Sequence, residues 1–139
     1  RKVMYPPELV APMIEELTRE GFEELKTVEA VDNAIKRSGT TLVVVNSVCG
    51  CAARNARPSV IQSLANDKKP DYLVTVFAGV DREATQRMRE YMLPFPPSSP
   101  SIAIFKDGEL MHMLERHHIE GRLAEIIAEN LKEAYNQLC

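Results

Sequence analysis

The sequence is sparing with several residue types, and each shortage excludes something. Its 139 residues contain only three cysteines. That count is odd, and far too small for the disulfide framework of a secreted mini-domain. No apolar run approaches the roughly 18 residues a membrane span needs. The opening stretch RKVMYPPELV is polar and interrupted by proline, so it does not read as a signal peptide. The chain does not begin with Met, and a few residues are expected to precede Arg1. Excess charge is also scarce. A net charge of −3 is too mild to suggest a nucleic-acid or membrane partner. There are no internal repeats, and the one biased segment is a short proline-rich loop. What remains is 45% hydrophobic and 27% charged, enough for one core under a polar surface. The expectation is a single cytoplasmic domain spanning residues 1–139, with thiols that react rather than staple.

The chemistry concentrates at LVVVNSVCGC, residues 42–51. Leu42-Val43-Val44-Val45 is a short aliphatic, β-branched run of the kind that forms a buried central strand. It breaks at Asn46-Ser47 and delivers Cys49 and Cys51 with Gly50 between them. The following AARNARPSVIQSL reads as a helix to about Leu64, kinked by Pro58. Two thiols therefore fall where a strand ends and a helix begins. A helix N-terminus presents free N–H groups and partial positive charge, which favour the thiolate, the reactive form of cysteine. Cys49 and Cys51 are close enough to form a small, strained and easily reduced disulfide, and Gly50 is expected to relax the backbone between them.

The rest of the chain supplies a frame. Pro6-Pro7 opens a helix carrying Leu9, Met13, Ile14 and Leu17, stopped at Gly21, with Phe22 and Leu25 packing nearby. Thr27 caps a second helix that buries Val28, Val31, Ala34 and Ile35. Residues 73–78 form the next strand, and Asp81 is expected to cap the helix after it. PFPPSSPS holds four prolines between residues 94 and 100 and must be loop. Residues 101–105 and 110–114 are strands joined by Asp107-Gly108, a hairpin turn signal. A last helix is expected from about Ile119 to Leu138, with Leu123, Ile126, Ile127, Asn130, Leu131 and Ala134 on one stripe. The order is α-α-β-α-β-α-β-β-α. It predicts an α/β fold: a parallel βαβ unit plus a hairpin, giving a four-stranded mixed sheet with helices on both faces.

A strand, a close cysteine pair opening a proline-interrupted helix, and a proline just before a hairpin strand resemble the thioredoxin fold. The segment from Pro100 through SIAIFKDGE resembles that fold's cis-proline stretch. More narrowly, VVVNSVCGCAA, TVFAG, PSSPS and the terminal Cys139 resemble the bacilliredoxin family, C-G-C proteins also described as thiol-disulfide isomerases. The resemblance covers nearly the whole chain. It implies removal of bacillithiol, or a similar low-molecular-weight thiol, from mixed disulfides on cytoplasmic client proteins. It further implies that Cys49 attacks, Cys51 is the second redox thiol, and Pro100 is a cis-proline that shapes the substrate site beside Gly50. One intervening residue departs from the two of ordinary thioredoxins, which puts plain dithiol reductase behaviour in doubt.

Other readings stay open at this stage. The two thiols with His112, His117 or His118 could hold zinc, as in a metallochaperone, although C-x-C is not the usual spacing and no second pair exists. A redox sensor without turnover would use the same Cys49. His117-His118 also fits a solvated or capping pair before the last helix, and Met88, Met92, Met111 and Met113 fit core packing. Arg54 and Arg57 are either solvated or meet the carboxylates of a small thiol. Cys139 is either a passive surface thiol or an accessory one that resolves Cys49 or links two chains. No cofactor is expected.

Overall fold

The computed structural model describes residues 5–139. Five strands form one sheet in the order β1-β3-β2-β4-β5. They are β1 (Glu23–Glu24), β2 (Thr40–Asn46), β3 (Tyr72–Phe77), β4 (Ser101–Lys106) and β5 (Glu109–Leu114). The expected sheet of four strands is therefore corrected to five. The extra strand, β1, pairs parallel with β3, and Leu25 N–H donates to the Thr75 carbonyl at 2.9 Å. Its own residues are two glutamates, so it carries no hydrophobic period to read. β2 lies parallel to β3 and antiparallel to β4, and β4 and β5 form the hairpin. Asp107 at φ 51° and Gly108 at φ 85° make the tight turn that the Asp-Gly pair predicts.

Alternation along β2 divides the core. Leu42 and Val44 face one cluster, with Val60, Ile102, Ile104, Ile127, Leu131 and Tyr135. Val43 and Val45 face the other, with Val31, Ile35, Val74, Val76, Met88 and Phe105. All seven residues of β2 are buried, as a strand covered on both faces must be. Each fully buried aliphatic side chain contributes about 1.5–3 kcal/mol on leaving water.

The first face is covered by α1 (Pro7–Thr18), α3 (Arg57–Ser63) and α6 (Ala124–Leu138), the second by α2 (Val28–Lys36) and α4 (Arg82–Tyr91). Thr27 caps α2 as expected, its hydroxyl oxygen accepting from Ala30 N–H at 3.1 Å. Asp81 precedes α4 but makes no side-chain cap; one of its carboxylate oxygens is buried without a hydrogen-bond partner. The last helix is two elements, a single turn α5 (Arg116–Ile119) and then α6, separated at Gly121 with φ 77°. Its stripe is shifted as well. α6 buries Ile127, Ala128, Leu131, Ala134 and Tyr135, while Leu123 and Ile126 face solvent. Tyr135 is buried deeply enough to need a partner for its hydroxyl, and it pairs with Ser63 Oγ at 2.8 Å. Met88 and Met92 are core residues and Met113 packs beside them, whereas Met111 and Leu9 are largely exposed. No helix among the described residues is long and apolar enough to cross a membrane.

Candidate active site

Sheet topology gathers one end of three strands. β2 ends at Asn46, three residues before Cys49. β4 runs antiparallel to it, with Ser101 opposite Val45, so Pro100 stands at the same end. β5 runs back beside β4, with Leu114 opposite Ile102, so the chain leaving β5 arrives there too. The Ser99–Pro100 peptide bond is cis, and so is Leu93–Pro94. Cys139 is not part of this gathering. Its thiol lies 3.6 Å from Thr40 Oγ1, at the opposite end of β2. Six strand steps of about 3.3 Å put roughly 20 Å between the two ends.

A relay of short-range hydrogen bonds shapes the cysteine loop. Asn46 Oδ1 accepts from Ser47 N–H at 2.9 Å, and Ser47 Oγ accepts from Cys49 N–H at 3.2 Å. The helical turn begins at Gly50. The Cys49 carbonyl accepts from Ala52 N–H at 2.9 Å and Ala53 N–H at 3.3 Å. Its sulfur accepts from Cys51 N–H at 3.4 Å. Cys49 thus occupies the N-cap position, with sulfur doing what a serine or aspartate oxygen usually does. All three cysteines are free thiols; Cys49 is partly exposed and Cys51 is buried.

The environment separates the two thiols. Partial burial works against ionising Cys49. It is outweighed by the hydrogen bonds from the Cys51 thiol and N–H, the charge of Arg116 and the Ala52 N–H, which together hold Cys49 below the usual thiol range. Cys51 is pushed up, first by burial and then by donating to, and facing the charge of, Cys49. An exposed thiolate and a covered thiol are what an attacking and a waiting cysteine require.

Arg57 is neither solvated nor free to meet a ligand. It is buried, and its Nε donates to Glu16 Oε1 at 2.7 Å. Its Nη1 donates to Asn46 Oδ1 at 2.8 Å and to the Ser47 carbonyl at 3.1 Å. Asn46 in turn donates to the Met13 carbonyl at 3.1 Å. A partly buried ion pair thus ties α1 and α3 to the strand end that launches the cysteine loop. The helix also solves its proline problem in an unexpected way. Residues Ala52–Ala56 form a π-helical turn, with Arg57 N–H reaching back to the Ala52 carbonyl. Pro58 follows in the first turn of α3, where its missing N–H costs little.

Gly50 has no positive φ, so no left-handed backbone conformation demands a glycine there. A Cβ at this position would lie 3.1 Å from Arg54 Nη1 and 3.3 Å from Arg54 Nη2, a tight approach to the far end of a flexible side chain. The exposed Arg54 guanidinium is folded over the residue between the two cysteines. Arg116, which sequence reasoning passed over, brings its charge to bear on both thiols. It follows β5 directly, and its Nη1 donates to the Ser99 carbonyl at 3.4 Å. Only the antiparallel β4–β5 pairing brings it there, so no local pattern could have shown it. The histidines divide differently. His118 Nδ1 accepts from Glu115 N–H at 3.0 Å in a reciprocal cap of α5, and His112 pairs with Asn130 at 2.8 Å. Among the described residues, the potential ligand atoms gathered within 4.8 Å are those of Glu115, His117 and His118; neither thiol is among them.

A helix-capping cysteine with a second thiol two residues on, at the end of a central strand and level with a cis-proline, defines a thioredoxin-fold thiol-disulfide oxidoreductase. Solved structures agree on the fold. Mitochondrial thioredoxin 3 from Saccharomyces cerevisiae matches with a TM-score of 0.60 at 15% identity, over 88% of this chain and 99% of that one. A putative oxidoreductase with a thioredoxin fold matches with a TM-score of 0.62 at 15% identity, over 79% of this chain and 91% of that one. The chain belongs to the disulphide isomerase family, which matches residues 5–139, and its curated relatives carry the name bacilliredoxin. The one from Cytophaga hutchinsonii is 60% identical, covering 97% of this chain and all of the relative. A Bacillus cereus bacilliredoxin is 54% identical, over 97% of this chain and 95% of the relative. One from Salinibacter ruber is 52% identical, over 97% and 81%.

Proposed function

We propose that this thiol-disulfide oxidoreductase removes a low-molecular-weight thiol of the bacillithiol type from mixed disulfides on client proteins in the cytoplasm. The observation that carries the reading is the division of labour at the loop: Cys49 is partly exposed and acidified, while Cys51 is buried and kept protonated. The relatives' shared name, bacilliredoxin, supports the choice of small thiol.

In the first step the Cys49 thiolate attacks the small thiol's sulfur in the client disulfide. A disulfide forms between Cys49 and the small thiol, and the client leaves as a thiolate that takes a proton from water. Nothing is oxidised or reduced overall; one disulfide replaces another. In the second step Cys51 loses its proton and attacks Cys49 Sγ. The Cys49–Cys51 disulfide forms and the small thiol departs as a thiolate. A second molecule of small thiol can instead release the first as its symmetrical disulfide. Pro100 and Gly50 border the place where the client disulfide would lie.

The test is mass spectrometry of the protein after incubation with a client carrying bacillithiol or glutathione. The expected product is the small thiol on Cys49 with the client freed. A client that keeps its modification, with Cys49 unmodified, would refute the proposal.

A further inference from the structure

Two guanidinium groups flank the cysteine loop, and the attack chemistry employs neither as an acid, base or nucleophile. Arg54 lies over Gly50 and makes no ion pair or hydrogen bond from its side chain among the described residues. Arg116 reaches the Ser99 carbonyl and Glu120 Oε2, each at 3.4 Å, with its side chain 44% exposed. Both contacts are long for charge-assisted bonds, so most of its donor capacity remains available. Glu120 is the one carboxylate it touches, and that contact is a solvent-exposed pair one helical turn apart, readily exchanged for a better acceptor. Arginine is the residue suited to this task, because its planar fork matches a carboxylate.

We infer that Arg54, folded over Gly50, and Arg116, held at the Ser99 carbonyl beside the cis-proline, form an anion subsite that receives the carboxylates of the small thiol as its sulfur meets Cys49. This rests on the reading that Cys49 accepts the small thiol. The site selects for acidic small thiols over neutral ones of similar reactivity. It also gives Gly50 a reason to be glycine, since a side chain there would occupy the space beside Arg54. The same arginines orient the adduct so that its disulfide faces the second thiol.

The test compares two forms of one client peptide, disulfide-linked to glutathione, which bears two carboxylates, or to 2-mercaptoethanol, which bears none. Adduct formation on Cys49 is followed by quenched-flow mass spectrometry, and the quantity read is the ratio of the two rate constants. The ratio cancels any change in Cys49 acidity, because the same thiolate attacks both peptides. Wild-type protein is expected to favour the glutathione peptide about tenfold, the worth of one good charge-assisted contact. The ratio should fall with added salt. Arg54→Gln and Arg116→Gln should each lower it, the double variant should bring it near one, and Arg116→Lys should restore part of it. Circular dichroism checks that each variant is folded. Transfer of both small thiols onto Cys49 with a ratio unchanged by the double substitution would overturn the subsite and leave the proposed function standing. Transfer of neither small thiol by wild-type protein would overturn both.

Discussion

The backbone N–H of Cys51 donates to the sulfur of Cys49 at 3.4 Å, so the first cysteine of the pair caps the N–H of the second. The one-residue spacing makes this possible, because an N-cap side chain reaches the N–H two or three residues on. The C-G-C arrangement thus acidifies its own leading thiol through the main chain before any other residue is considered.

Cys49 should titrate below the ordinary thiol value of about 8.5. Its rate of attack on a disulfide should rise with pH and level off above that lowered midpoint. Cys51→Ala keeps the N–H contact but loses the hydrogen bond from the Cys51 thiol, so the midpoint should move up only part of the way. Stability carries the same sign. A thiol acidified by folding adds stability that is complete above about pH 8.5 and is lost as pH falls through the lowered midpoint. Thiolate absorbance against pH reads the midpoint, and a wild-type value at or above 8.5 would refute the capping account.

Removing Cys51 and removing Cys139 should differ sharply. A small-thiol adduct on Cys49 should persist in Cys51→Ala and clear at the wild-type rate in Cys139→Ala. The reason is distance: Cys139 stands beside Thr40, about 20 Å of strand from the cysteine loop. Clearance that stalls only in Cys139→Ala at low protein concentration would mean that the chain end reaches the loop.

Arg57→Ala should cost about 3 kcal/mol of stability. It strips the partner from Glu16 and leaves Asn46 Oδ1 and the Ser47 carbonyl short of a donor in a buried setting. Glu16→Gln should cost less, about 1 kcal/mol, because Glu16 is partly solvated and glutamine still accepts from Nε. Urea denaturation measures both, and equal losses would contradict this ordering. Because the same bonds hold the strand end beneath Ser47, Arg57→Ala should also move the Cys49 midpoint.

Gly50→Ala should fold with a stability within about 1 kcal/mol of wild type. Its φ is not positive, and the atoms it would crowd are the far end of a flexible arginine. The change should appear in function: with Arg54 displaced, the preference for the glutathione-linked peptide should weaken. A large loss of stability would show that backbone geometry, not the space beside Arg54, requires the glycine.

The sequence alone determined what neighbouring residues can decide. The run Leu42–Val45, the thiols after it, the Asp107-Gly108 turn and the Thr27 cap are local signals, and each appears where its chemistry predicts. Glu23-Glu24 became a strand only because β3 offers an unpaired edge, and two glutamates carry no period that would announce it. Leu123 and Ile126 fell off the buried stripe because Gly121 breaks the last helix and resets its phase. The tertiary structure also decided the neighbours of the thiols. Arg57 was turned inward by Glu16, which lies 41 positions away. Arg116 was carried to the cysteine loop by strand pairing across β4 and β5, and Cys139 was carried to the far end of β2. Hydrophobic period and turn chemistry act over a few residues and can be read along the chain. Charge pairing and proximity act through space, and the packing of the sheet sets which residues they join.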